Sequence, residues 1–245
     1  MKKDNISRRT FLKTGIAVGA GLYGLSYLSS FERPRPLKTF KENRLKKGMV
    51  VVHGDVDERN DESSVIKEMV NRGIKAIGGM DKLISRGDNV VIKPNIAWDR
   101  RPEYAVNTNP FVAAALVGMC LEAGANRVKV FDHTCASNPD TSYTNSGIEK
   151  AAKEAGAVVR FVDKGLFKNI KIPDGKVLDS WTFYEELIYQ DETDVLINVP
   201  IAKQHSASRL SMALKNTLGM VGGNRGSLHK EIHPKIADLN KVVKV

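Results

Sequence analysis

Four short apolar runs constrain this chain more than any other feature: residues 89–93 (NVVIK), 128–131 (VKVF), 158–162 (VVRFV) and 195–199 (VLINV). Each is too short for a buried helix and rich in valine and isoleucine, the profile of strands covered on both faces. Pro94 and Pro200 stop the first and last. The intervals between runs carry helical patterns. Residues 62–77 place Val65, Ile66, Met69, Val70, Ile74 and Ile77 on one helix face, closed by Gly78-Gly79. Asn109-Pro110 is an N-cap followed by a first-turn proline, and Gly124 ends that helix. Residues 146–155, closed by Gly156, read as another helix, and residues 208–218, ended by Gly219, as a further one. Val50-Val51-Val52 reads as an additional first strand. The expected fold is α/β: a mostly parallel sheet with helices on both faces. Residues 238–245 read as a helix running into a new strand, so the sheet is expected to be C-terminally truncated.

The 245 residues suit one domain, with 42% apolar and 27% charged residues, an ordinary globular composition. The net charge of +10 invites a nucleic-acid reading until its location is examined. Residues 1–47 hold 12 basic and 3 acidic side chains, leaving 26 and 25 for the remainder. The basicity belongs to the N-terminus, and no nucleic-acid partner is expected. Within the body, residues 48–197 hold 18 basic and 23 acidic side chains, whereas 198–245 hold 8 and 2, which points the C-terminal stretch toward an anion.

Ser7-Arg8-Arg9-Thr10-Phe11-Leu12-Lys13 precedes a mildly apolar, glycine-rich run over 14–28. That layout resembles a twin-arginine export signal. It implies the twin-arginine translocase as a partner and a location outside the cytoplasm, periplasmic or membrane-anchored. Cleavage near Ser29 or Ser30 and retention as an uncleaved anchor in contact with the membrane are both open. The expected division is a signal peptide over 1–30, a polar linker over 31–47 and an α/β domain over 48–245.

Ligands of parallel sheets bind outside the carboxyl ends of the strands. There the sequence places Lys93-Pro94-Asn95, with Trp98 close behind, then Asp132-His133-Thr134-Cys135, and Lys203-Gln204-His205. Lys215 and Asn216 follow, then glycines at 219, 222, 223 and 226 around Arg225. Lys93, Lys203, Lys215 and Arg225, with Asn95 and Asn216, are the candidate holders of a small anionic ligand. His205 and Asp132 are the candidate catalytic acid–base groups. His229 and His233, four apart, and Cys135 are candidate ligands of a divalent metal; on one helix the two histidines share a face, but Pro234 disfavours a continuous helix there, and the alternative is that they straddle a helix start. Asp132, His133 and Cys135 after one strand are a candidate zinc or iron set, and Cys135 is alternatively a nucleophile. Cys120, in an apolar helix, reads as core. Two cysteines are too few for a four-cysteine iron–sulfur or zinc site.

The blocks VVIKPNIAW (90–98), TNP (108–110), EAGANRVKVFDHT (122–134), INVPIAKQH (197–205) and ALKNTLGMVGG (213–223), with His229 and His233, are together similar to the family of domain of unknown function 362. The resemblance implies an α/β domain; some members carry a ferredoxin-like iron–sulfur insert, for which this chain lacks the cysteines. The resulting expectation is an exported protein that binds a small anion, with metal-assisted acid–base chemistry. The alternative is a non-catalytic exported binding protein or a partner of an iron–sulfur redox complex.

Overall fold

The computed structural model describes residues 49–55, 61–187 and 193–243. The signal peptide and linker expected over 1–47 lie outside them.

The first helix, α1 (Glu62–Ala76), starts at Asp61, whose side chain accepts from the Ser64 N–H. A short helix, α2 (Met80–Leu83), leads into β1 (Asn89–Pro94). Helix α3 (Pro110–Glu122) is capped by Asn109, which accepts from the Phe111 N–H. Then come β2 (Arg127–Phe131), α4 (Pro139–Asn145), α5 (Ile148–Glu154) and β3 (Val158–Arg160). Strands β4 (Phe167–Lys171) and β5 (Ser180–Tyr184) form an antiparallel hairpin. After β6 (Val195–Val199), a second small hairpin pairs β7 (Lys203–His205) with β8 (Arg209–Ser211). The short α6 (Ala213–Asn216) and the C-terminal α7 (Ile232–Val242) complete the described chain.

Strands β3, β2, β1 and β6 form one sheet in that order, and every pairing is parallel. Side chains alternate between its faces. Val90, Ile92, Val128, Val130, Val195 and Val199 point to the face covered by α1, α3 and α5. Helix α3 is rich in small apolar residues, so it lies close to the sheet, with Ala113, Val117 and Cys120 buried. Each fully buried valine or isoleucine there contributes about 1.5–3 kcal/mol. On the opposite face Val91 and Phe131 pack against Phe183 and Tyr184 of β5 and against Ile236, Leu239 and Val242 of α7. Asp238 of α7 pins the β4–β5 turn by accepting from the N–H groups of Lys176, Val177 and Leu178.

Two expectations need correction. Val50-Val51-Val52 joins no strand pairing among the described residues, and Val51 stands 80% exposed: three valines in a row mark strand propensity, but the segment buries too little to be held on a sheet edge. Residues 208–218 are not one helix: β8 occupies Arg209–Ser211, and only Ala213–Asn216 is α-helical. Arg209 adopts a left-handed backbone conformation (φ 62°), which sets the hairpin bend. The expected α/β fold, a parallel sheet with helices around it, is what the chain adopts; on the second face α7 packs together with the β4–β5 hairpin.

The chain runs outward from β1 through β2 to β3, then returns to the other side of β1 as β6. The order reverses between β1 and β6, and a crevice opens there beyond the strand ends.

Candidate functional site

That crevice is a cleft of about 510 Å³. Its floor is a buried polar network built from strand ends. Lys93 and Asn198 are register partners on β1 and β6, both on the α7 side of the sheet. The Lys93 ammonium has no solvent exposure. It meets Asp132 Oδ1 at 2.6 Å and donates to the Pro94 carbonyl (2.6 Å) and to Asn216 Oδ1 (3.0 Å). Asp132 Oδ2 accepts from the Ile96 N–H at 2.6 Å. Tyr143, fully buried, receives the Asp132 N–H on its hydroxyl and donates back to the Asp132 carbonyl. A Cβ at Gly219 would overlap Asp132 Oδ1 and Lys93 Nζ, so only glycine lets residues 217–220 close over the pair.

The network continues outward. Asn95 Nδ2 donates to Asn216 Oδ1 (2.9 Å), and Asn216 Nδ2 donates to Asn198 Oδ1 (2.7 Å). Lys203 Nζ donates to Asn95 Oδ1 at 2.8 Å and to the Val106 carbonyl at 2.5 Å. One of its three N–H groups remains for the cleft.

The wall comes from the β7–β8 hairpin, from α6 and from the residues after it. Lys215 and His205 line it, with His229 stacked on His205 at 5.6 Å between ring centroids. Arg225 donates from Nη1 to the His133 carbonyl (2.5 Å) and from Nη2 to the Thr134 carbonyl (2.6 Å), leaving three N–H groups. Cys135 is a free, exposed thiol at the same cleft.

The family model for domain of unknown function 362 (DUF362) matches residues 90–245, the sheet and every element of this cleft. The chain belongs to the DUF362 family. A twin-arginine translocation signal matches residues 5–22, so this DUF362 protein carries an address for export by the twin-arginine translocase. A thylakoid-associated protein of Synechocystis sp. is 24% identical over 156 residues, 61% of this chain and 44% of that protein. The chain thus spans less than half the length of that curated relative. No solved structure matches it. Among the described residues no helix is long and apolar enough to cross a membrane.

Electrostatics separates floor from wall in this DUF362 cleft. Burial pushes the Lys93 ammonium below its usual range, opposed by the Asp132 carboxylate. Burial, aided by the Lys215 charge, brings Lys203 down to about 8. Lys215 is lowered by burial. His205 is lowered by burial and by Lys215, His229 and Lys203, and His133 by burial and Arg225. Both imidazoles are therefore biased toward the neutral form.

The structure brings nine of the sequence candidates to one cleft together with His229, and leaves one outside. Lys93, Asn95, Asp132, Cys135, Lys203 and His205 line it, as do Lys215, Asn216 and Arg225. His233 instead borders a separate hollow with Ile236 and Leu214. His229 ends a 3-10 turn and His233 lies in the first turn of α7, so the pair does not share a helix face. Among the described residues no three His, Cys, Asp or Glu side chains converge as a metal site. Lys93 lies beneath the cleft, with its three donors spent within the protein. Gly219 escaped the candidate set: it matters through the space it leaves, for which one sequence carries no signal. His133, read from sequence only as a candidate metal ligand with Asp132 and Cys135, lines the same cleft.

Proposed function

We propose that this DUF362 chain binds a small anion, carboxylate or phosphate, in the cleft at the ends of β1 and β6 on the far side of the membrane it is exported across. One observation carries the reading. Lys203, Lys215 and Arg225 meet in a single cleft, and among the described residues none of them is paired with a carboxylate. Among the described residues the carboxylate that lines the cleft, Asp132, is already committed to Lys93 and to the Ile96 N–H. Three cations without counter-charges favour an anionic guest, and the volume suits a small ligand. Neutral imidazoles beside them supply hydrogen-bonding and proton-handling groups. The floor network is the positioning layer: it fixes Lys203 through Asn95 and keeps Asn216 and Lys93 in place.

Metal assistance has less support from the donor set. Nδ1 of His205 accepts from two backbone N–H groups, of Ala207 and Ser208, at 3.2 Å each. The ring proton then sits on Nε2, the atom a metal would need bare.

The test is thermal stabilisation of the folded, exported protein by inorganic phosphate, sulfate, acetate and glycolate. Lys215 has no hydrogen-bond partner among the described residues, so Lys215→Gln leaves the fold intact. It should weaken anion binding about tenfold, the size of one charge-assisted hydrogen bond of ~1.4 kcal/mol. Absence of stabilisation by every one of these anions would overturn the reading. Turnover of phosphate or carboxylate esters separates an enzyme from a binder.

A further inference from the structure

Two imidazoles of the cleft are fixed by the backbone in opposite ways. His133 follows β2, and its Nδ1 lies 2.8 Å from the Val221 carbonyl. A carbonyl only accepts, so His133 Nδ1 carries the proton and Nε2 keeps its lone pair. His205 closes β7, and its Nδ1 faces the N–H groups of Ala207 and Ser208. These groups only donate, so His205 Nδ1 is bare and Nε2 carries the proton. Neither Nε2 has a partner among the described residues, and both rings line the cleft. Each ring is also held sterically, His133 against Phe167 at 5.2 Å and His205 against His229 at 5.6 Å. Charged neighbours do not reverse the pattern: Arg225, Asp132 and Lys164 surround His133, and Lys215, Lys203 and His229 surround His205.

We infer that the cleft presents one imidazole acceptor, His133 Nε2, and one imidazole donor, His205 Nε2–H, and so selects anions that also carry a hydroxyl group. This rests on the anion-binding reading and deepens it. The anionic oxygens sit on Lys203, Lys215, Arg225 and the His205 donor. The hydroxyl donates its proton to His133 Nε2, the acceptor among an otherwise cationic set. A ligand without the hydroxyl leaves that lone pair unmatched on desolvation, which is the situation that gives strong discrimination. No bond is broken and no proton is transferred in the bound state.

Two measurements test it on the purified, folded protein. Nitrogen-15 NMR of the histidine rings at neutral pH, assigned with His133→Asn and His205→Gln, reads the tautomers without any ligand. A proton on Nδ1 for His133 and on Nε2 for His205 is expected; the same tautomer in both rings overturns the inference. The second measurement compares glycolate with acetate, equal in charge and differing by one hydroxyl. Glycolate should bind about tenfold more tightly, for one added hydrogen bond. In His133→Asn the side-chain Nδ2 still reaches the Val221 carbonyl, and the amide oxygen, on a shorter side chain, stops short of the position that Nε2 occupied, so acetate binding persists and the preference disappears. Equal affinities in the parent protein, or a preference that survives in His133→Asn, would refute the selectivity. If neither anion binds while the tautomers are opposite, the anion reading fails, and the selectivity with it, while the ring assignment stands.

Discussion

The floor and the wall of the cleft are built from the same residue types and behave differently. On the floor, Lys93, Asp132 and Asn216 are buried, and they satisfy one another and the neighbouring backbone. On the wall, Lys203, Lys215 and Arg225 keep donors that the described protein does not use. The difference is one of position. Lys93 points from the end of β1 into protein, so its charge needs partners before folding can tolerate it. Lys215 sits in the one-turn helix α6, half-buried on the cleft wall, with no hydrogen-bond partner among the described residues, so its ammonium is left facing the cleft. A lysine at a strand end is thus not by itself a ligand-binding lysine; what matters is whether its three N–H groups are already spent.

The strongest way to break this contrast is to remove the floor's counter-charge. Asp132→Ala leaves the Lys93 ammonium buried without a carboxylate, which should cost about 3–5 kcal/mol. Urea denaturation reads the loss; a failure to fold fits the same expectation, because whole domains have only about 5–15 kcal/mol in hand. The double variant Lys93→Met with Asp132→Asn keeps an acceptor for the Ile96 N–H and removes both charges. It should recover most of the loss. If the double variant is no more stable than Asp132→Ala, the buried ammonium is not the source of the cost.

A milder test compares glycines. Gly219→Ala drives a Cβ into Asp132 Oδ1 and Lys93 Nζ and should cost about 1–3 kcal/mol. At Gly226, on the wall, the nearest atom to a new Cβ is Asn224 Oδ1 at 3.3 Å, the end of a side chain that can turn aside. Gly226→Ala should change the midpoint far less. Equal costs at the two positions would erase the distinction between a closed floor and an adaptable wall.

Much of this was legible before any coordinates, for a physical reason. Strand positions announce themselves through continuous valine and isoleucine, and proline marks where the ladder stops, so β1, β2, β3 and β6 and the residues beyond them could be placed. The α3 start at Asn109-Pro110 was equally plain, because capping is a local chemistry. What was hidden depends on contacts distant in sequence. Residues 208–218 carry a helical apolar spacing, yet Leu210, Met212 and Leu214 stand more than half exposed, and the segment bends back as β8 against β7. Pro234 tells against one helix across His229 and His233, and the helix does start between them, after the αL residue Glu231; what stayed hidden is that His229 meets His205. The β4–β5 hairpin went unseen because its alternation is shallow, with Lys168, Asn169 and Lys171 exposed. Tautomers were out of reach altogether, since Val221 lies 88 residues from His133.

The smallest effect sharpens the comparison by pH. Lys203 bridges the two regions: two of its N–H groups belong to the floor, and the third faces the cleft. Its ammonium is brought down to about 8, below the ~10.4 of a free lysine. Between these values the unfolded chain holds the proton that the folded chain has lost. Stability therefore rises with pH across that window from this group. Anion affinity moves the other way, falling as pH rises through about 8 because the neutral amine no longer attracts the guest. For one titrating group the fall is at most about tenfold per pH unit. Binding of sulfate, whose charge is constant in this range, measures it cleanly by calorimetry at pH 7 and pH 9. In Lys203→Met, affinity should start lower and lose this step, and any slope left above pH 8 belongs to Lys215, whose ammonium burial also lowers. A parent affinity that is flat from pH 7 to pH 9 would place Lys203 wholly with the floor.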